Sequence, residues 1–176
     1  MPVVWLKAVP KFNPDILDVQ KHVEKRFGIT IEVREYVSPV PSCGTRAATD
    51  KIATANFHRV CDELSHDYGK RLTGLRADES AQRRLRMRRW GLATDNSLCP
   101  LGWWTVDDVF AYLASSSNLP VHPVYAMLGG GRWPRDRIRV DALFGERGDG
   151  SGRTEWEQEY YGDVLRRLEA GQLTRP

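Results

Sequence analysis

Residues 3–37 run VVWLKAVPKFNPDILDVQKHVEKRFGITIEVREYV, and the order of patterns inside this stretch decides the fold class. Val3-Val4-Trp5-Leu6 is a short apolar run between Pro2 and Pro10, the pattern of a buried strand. A helix follows. Asn13 suits its N-cap, Pro14 its first position and Asp15 its positive end, while Ile16, Val19, Val23 and Phe27 fall at helical spacing. Lys25, Arg26 and Gly28 close it. Ile29, Ile31 and Val33 then alternate with Thr30, Glu32 and Arg34 as far as Tyr36-Val37, predicting a half-buried strand that Pro39 and Pro41 end.

Working outward, a loop from Ser38 to Arg46 leads to a helix from about Thr49, striped by Ile52, Phe57, Val60, Cys61 and Leu64. Lys70-Arg71-Leu72-Thr73-Gly74-Leu75 predicts a third strand. Strand, helix, strand, helix, strand is the order of an α/β fold with a mostly parallel sheet and flanking helices. Beyond residue 80 the texture becomes helical and loop-rich. Thr105 and Asp108 have capping-box spacing ahead of Val106, Val109, Phe110 and Leu113. Trp103, Trp104 and Tyr112 read as core aromatics. Gly129-Gly130-Gly131 and the glycines from Gly145 to Gly152 mark loops, and Thr154 with Glu157 opens a last helix using Trp156, Tyr160, Val164 and Leu168. The expectation is a single domain over 1–176, with an α/β part in 1–80 and an irregular helical part in 81–176.

A chain of 176 residues can bury a proper core, and 41% hydrophobic with 28% charged residues excludes disordered, collagenous and coiled-coil classes. No apolar run reaches the roughly 18 residues of a spanning helix, and the start is too short for a signal peptide, so no membrane partner and a cytoplasmic location are expected. Cys43, Cys61 and Cys99 form no Cys-x-x-Cys pair, and the four histidines stand at no ligand spacing near them, so no metal site is expected. Charge is nearly balanced, 26 basic against 23 acidic residues, and does not by itself mark a nucleic-acid binder. Its distribution is uneven. Arg83, Arg84, Arg86, Arg88 and Arg89 crowd toward Trp90 with no carboxylate among them, which makes Arg84, Arg86, Arg88 and Arg89 candidate nucleic-acid contacts. The alternative is a solvated helix face or a share in a neighbouring anion site.

That anion site is Thr73-Gly74-Leu75-Arg76-Ala77-Asp78-Glu79-Ser80-Ala81-Gln82-Arg83, at the carboxyl end of the third strand. Open α/β sheets bind ligands there, and arginine forks match phosphate or sulfate. The alternative is a solvated loop whose arginines pair with Asp78 and Glu79.

Gly74-Leu75-Arg76-x-Asp78-Glu79-Ser80-x-x-Arg83 resembles the Gly-x-Arg-x-x-Glu-Ser-x-x-Arg signature of the phosphoadenosine phosphosulfate (PAPS) reductase family, within the adenine nucleotide alpha-hydrolase-like superfamily. Two further segments fit in order. Cys99-Pro100-Leu101-Gly102-Trp103-Trp104-Thr105-x-x-Asp108-Val109 is similar to the family's Pro-Leu-x-x-Trp-Thr-x-x-Asp-Val segment, and Leu119-Pro120-Val121-His122-Pro123-Val124-Tyr125 to its Leu-Pro-x-x-Pro-x-Tyr turn. Residues 156–161 are similar to phage and bacterial members of unassigned function. The resemblance implies an adenine-nucleotide site, for ATP or PAPS, with Arg76 and Arg83 on the anionic end and Glu79 and Ser80 ordering the loop.

The departures set limits. Nucleotide-binding members open with Ser-Gly-Gly-x-Asp-Ser, a phosphate-cradling loop that these residues lack. The reductase's C-terminal Glu-Cys-Gly-x-His nucleophile is also missing, since no cysteine follows Cys99. Ser42-Cys43-Gly44-Thr45-Arg46 lies where iron–sulfur members carry Cys-Cys-x-x-Arg-Lys, but a cluster needs about four thiolates. Cys43 is therefore a candidate reactive thiol with Arg46 nearby, against the blander reading of a loop cysteine. The expected function is a PAPS reductase-like adenine or sulfo-nucleotide-binding domain that needs a partner or upstream segment for phosphate or sulfate transfer. The alternative is an inactive, phage-type binding or regulatory module engaging a protein or nucleic acid. By comparison with the family, the chain reads as short of the first strand, loop and helix, which leaves an incomplete fold and predicts a homo-oligomer or a protein partner covering the sheet.

Overall fold

The computed structural model describes residues 1–40, 46–116, 118–128, 138, 140, 142–144 and 153–172. They belong to two compact units. The terminal unit takes Pro2–Val60 and Pro120–Pro176; the central unit takes Cys61–Leu119 together with Met1. Among the described residues no helix is long and apolar enough to cross a membrane.

In the terminal unit β1 (Val3–Pro10) pairs in parallel with β2 (Ile31–Ser38), in register from Val3 opposite Ile31 to Pro10 opposite Ser38. β1 outruns the apolar run that predicts it because Lys7 is neutralised. Its ammonium lies 3.2 Å from Glu35 on β2 and 4.3 Å from the centre of the Phe12 ring, so the position is buried without stranding a charge. α1 (Ile16–Phe27) joins the strands. Asp15, not Asn13, is its N-cap; Asn13 instead folds a turn, its Oδ1 accepting from the Asp15 N–H at 3.0 Å. Gly28 ends the helix at φ 62°, a left-handed conformation that glycine adopts without a Cβ penalty.

The core of this unit is carried by residues after Pro120. Val124 of α5 (Pro123–Leu128), Ile138, Leu143 and Trp156, Tyr161, Leu165 and Leu168 of the last helix, Arg153–Glu169, form one buried cluster. The expected stripe of that helix is Trp156, Tyr160, Val164 and Leu168. A break at Tyr161 (φ −118°, ψ 19°) turns the face, so Tyr161 and Leu165 take the buried places and Tyr160 and Val164 only flank them. Links from this core to the amino-terminal segment of the unit include the Tyr161 hydroxyl, which donates to Asp15 Oδ2 at 3.0 Å, and the Leu143 N–H, which donates to the Lys11 carbonyl at 2.7 Å. Burial pushes the Tyr161 phenol well above its ordinary range, so it stays a donor.

His122 is buried at the entrance to α5, where its Nδ1 accepts from the Val124 N–H at 3.3 Å. Burial lowers its pKa, against a smaller opposing pull from Asp15. A histidine whose folded pKa lies below its unfolded value of about 6.5 stabilises the fold above that value. The unfolded chain takes up the proton first, so stability falls as pH drops through about 6.5. We expect His122→Asn, which keeps an acceptor for the Val124 N–H, to flatten the decline in Tm between pH 7.5 and 5.5. An unchanged pH dependence in thermal melts would show that another group controls it.

The central unit holds the carboxyl-terminal part of α2 (Arg46–Tyr68), β3 (Arg71–Leu72), a 3-10 turn (Ala77–Glu79), α3 (Ala81–Trp90), β4 (Ser97–Leu98) and α4 (Val106–Ala114). β3 is shorter than the predicted strand. It pairs in parallel with β4, and the Thr73 N–H adds one more bond to the Leu98 carbonyl at 2.9 Å before Gly74 leaves the ladder. The third strand thus belongs to its own two-stranded sheet rather than continuing that of β1 and β2. The class is nevertheless α/β, with parallel strand pairs, flanking helices and a helical carboxyl-terminal region. Two aromatics expected in the core are not there: Trp103 is 52% exposed and Tyr112 58%.

Candidate functional site

A small apolar cluster supports the turn after β3. Ala77, Met87 and Cys99 are buried together, with Leu75 and Leu92 against them. The Ala77 N–H donates to the Gly102 carbonyl at 2.7 Å. A Cβ at Gly102 would run into the Leu92 side chain and come within 3.1 Å of both the Cys99 carbonyl and Met87 Sδ, so a larger residue there requires Leu92 and its neighbours to shift. Cys99 Sγ lies 3.3 Å from Thr73 Oγ1, which makes it a core thiol under the site. Cys61 is buried as well, and burial raises its pKa, which disfavours the reactive thiolate. Cys43 lies outside the described residues, as do both glycine-rich loops.

On this base Arg76, Glu79, Ser80 and Arg83 come together. The Arg76 side chain is only 15% exposed; its Nε lies 3.5 Å from Glu79 Oε1, and its Nη1 lies 3.8 Å from Asp78 Oδ2 and 3.5 Å from the Trp104 carbonyl. The other oxygen of Glu79 pairs with Arg83. One carboxylate therefore aligns both guanidiniums. Ser80 ends the 3-10 turn and caps α3, accepting from the Arg83 N–H at 3.2 Å. These are the pairings of the solvated-loop alternative, and the same pairings pre-order the two arginines.

Two contacts escape a sequence reading. Asp78 also accepts from the Val106 N–H at 3.1 Å and so caps α4 from the site turn, while the Trp104 carbonyl holds Arg76. Both contacts span 28 residues, and no local pattern announces them. At the start of α4 the expected capping box is present: Asp108 accepts from the Thr105 N–H at 2.8 Å, and Thr105 Oγ1 accepts from the Asp108 N–H at 3.1 Å. Those bonds from Thr105 hold the Asp108 carboxyl below its ordinary range.

The chemistry available is anion binding. Every polar contact of Arg76 uses Nε or Nη1, which leaves the two N–H groups of Nη2 uncommitted among the described residues. Two guanidiniums and two carboxylates cancel in charge, so what the turn offers an anion is directed hydrogen bonds rather than a net field. Arg84, Arg88 and Arg89 face solvent on α3, whereas Arg86 is partly buried and its Nη2 donates to Ser97 Oγ at 3.2 Å. Among the described residues no three His, Cys, Asp or Glu side chains stand together to hold a metal ion.

The family model described as the phosphoadenosine phosphosulfate reductase domain matches residues 1–128, a span that includes the turn and its supports. No protein of curated function matches the chain.

Proposed function

The chain belongs to the phosphoadenosine phosphosulfate reductase domain family, and from that premise we propose that it binds the anionic end of an adenine or sulfo-nucleotide, ATP or PAPS, at the turn between β3 and α3. What carries the reading is the shared use of Glu79 by Arg76 and Arg83, which fixes two planar cations side by side at the carboxyl end of a strand. Nη2 of Arg76 supplies the donors to the phosphate or sulfate. Glu79 and Ser80 position; they do not touch the ligand.

The residues present hold and orient an anion but offer neither the Ser-Gly-Gly-x-Asp-Ser loop nor a carboxyl-terminal cysteine. Transfer chemistry then requires a phosphate loop from a further polypeptide segment, and the chain's own part is electrostatic positioning. Calorimetric titration with ATP, AMP and PAPS, with and without magnesium, tests the binding claim. Heat with at least one is expected, and silence with all of them would remove it.

Association with a second copy or a protein partner is the other half of the proposal. β1 and β2 each pair on one side only among the described residues, and a lone parallel pair is an unusual free-standing sheet. Val33 and Val37 of β2 are also exposed. Light scattering should give a mass above the 20.1 kDa of one chain. A monomer that pulls no protein from lysate would refute this part and leave the nucleotide site standing.

A further inference from the structure

The nucleotide reading leaves the outward face of α3 unused. This helix, AQRRLRMRRW, carries five arginines and no carboxylate. Arg83 and Arg86 turn to Glu79 and Ser97. Arg84, Arg88 and Arg89 are exposed and form no ion pair among the described residues. The Arg89 guanidinium lies 5.0 Å from the centre of the Trp90 ring, and Trp90 is 57% exposed.

We infer that the exposed surface winding around the carboxyl-terminal end of α3, from Arg84 and Arg88 on one side through Arg89 to Trp90, binds single-stranded nucleic acid, with the guanidiniums on phosphates and the indole stacked on a base. Two observations favour this occupant. Every basic residue of the helix is arginine, whose planar fork binds phosphate through paired hydrogen bonds. An exposed indole beside a guanidinium is a stacking platform for an unpaired base, and a duplex keeps its bases out of reach. A membrane fits poorly. Interfacial helices separate an apolar face from a basic one, whereas here Leu85 lies among the exposed arginines and the apolar Met87 is buried in the helix's own unit.

Fluorescence anisotropy with a labelled oligothymidylate of about 12 nucleotides tests the inference. Three phosphate contacts predict a slope of log affinity against log salt of about −2, a weakening of about 20-fold between 50 and 200 mM. R84A/R88A/R89A should abolish that slope. Trp90→Ala should weaken binding about 5- to 150-fold with the slope kept, and Trp90→Phe should restore most of it. If the triple variant fails to fold, Arg84→Ala and Arg88→Ala singly should each remove about 0.7 from the slope. Unchanged affinity in the arginine variants overturns the inference. So does equal or tighter binding to the duplex, to polyglutamate or to phosphatidylserine vesicles. Nucleotide binding at Arg76 involves a charge-balanced turn and should respond weakly to salt, so the two sites fail or stand separately.

Discussion

Trp156→Ala lowers stability by about 3–5 kcal/mol, the range for deleting a large buried aromatic. In a chain of this size that is a fall in Tm of about 6–20 °C. The effect is large because the Trp156 side chain is fully buried and packs edge-on against Tyr161 at 6.2 Å, in the cluster that holds the last helix to Val124, Ile138 and Leu143. Through Tyr161 the loss extends to Asp15 and the start of α1. Trp156→Phe separates volume from polarity. The indole Nε1 is buried and reaches no acceptor among the described residues, so phenylalanine removes an unsatisfied donor while keeping most of the apolar surface. It should cost clearly less than alanine. Equal losses in chemical denaturation would mean that the indole nitrogen has a partner after all.

Arg76→Ala is expected to weaken nucleotide binding roughly 10- to 150-fold for each charged hydrogen bond lost. Arg76→Lys should not rescue it. An ammonium is a point charge and cannot meet Glu79, Asp78 and the Trp104 carbonyl while presenting a second pair of N–H groups to a ligand. Because Arg76 also braces the turn, calorimetry has to be read beside thermal melts. A variant that melts normally and binds ATP, AMP or PAPS as tightly as the parent places the ligand elsewhere. Arg83→Ala should have a smaller effect, since Arg83 is more exposed and shares its carboxylate with Arg76.

How far the sequence discloses these features depends on the range of the interactions that create them. The alternation of Ile31, Glu32, Val33 and Arg34 marks β2, and Ser80 marks the start of α3, because both signals are local. β4 is two residues long and is defined by its pairing with β3 and a bridge from Leu98 to Ala93, so it leaves no periodicity to read. α3 has almost no apolar stripe; its Ser80 cap and its alanine, glutamine and arginine content favour the helix. The exposure of Trp103, in the turn before α4, and of Tyr112, on α4, escapes prediction because an aromatic residue is a statement about area, not about which side of a turn or short helix meets the core. Within the site, Arg76, Glu79, Ser80 and Arg83 are legible from spacing and family resemblance. The bonds from Asp78 to Val106 and from Trp104 to Arg76 depend on how two distant segments fold together.

The split composition of the terminal unit sets the order in which it can be completed during synthesis. β1, α1 and β2 are made before the rest of the terminal unit, but every buried member of that unit's hydrophobic cluster comes from Val124 onward. From Val60 to Leu168, ribosomes need roughly 5–20 s at ordinary elongation rates. Within that interval the central segment, continuous in sequence from Cys61 to Leu119, is completed before the cluster of the terminal unit is. The terminal unit is therefore the later of the two to have all of its residues, although its strands are made before the central unit.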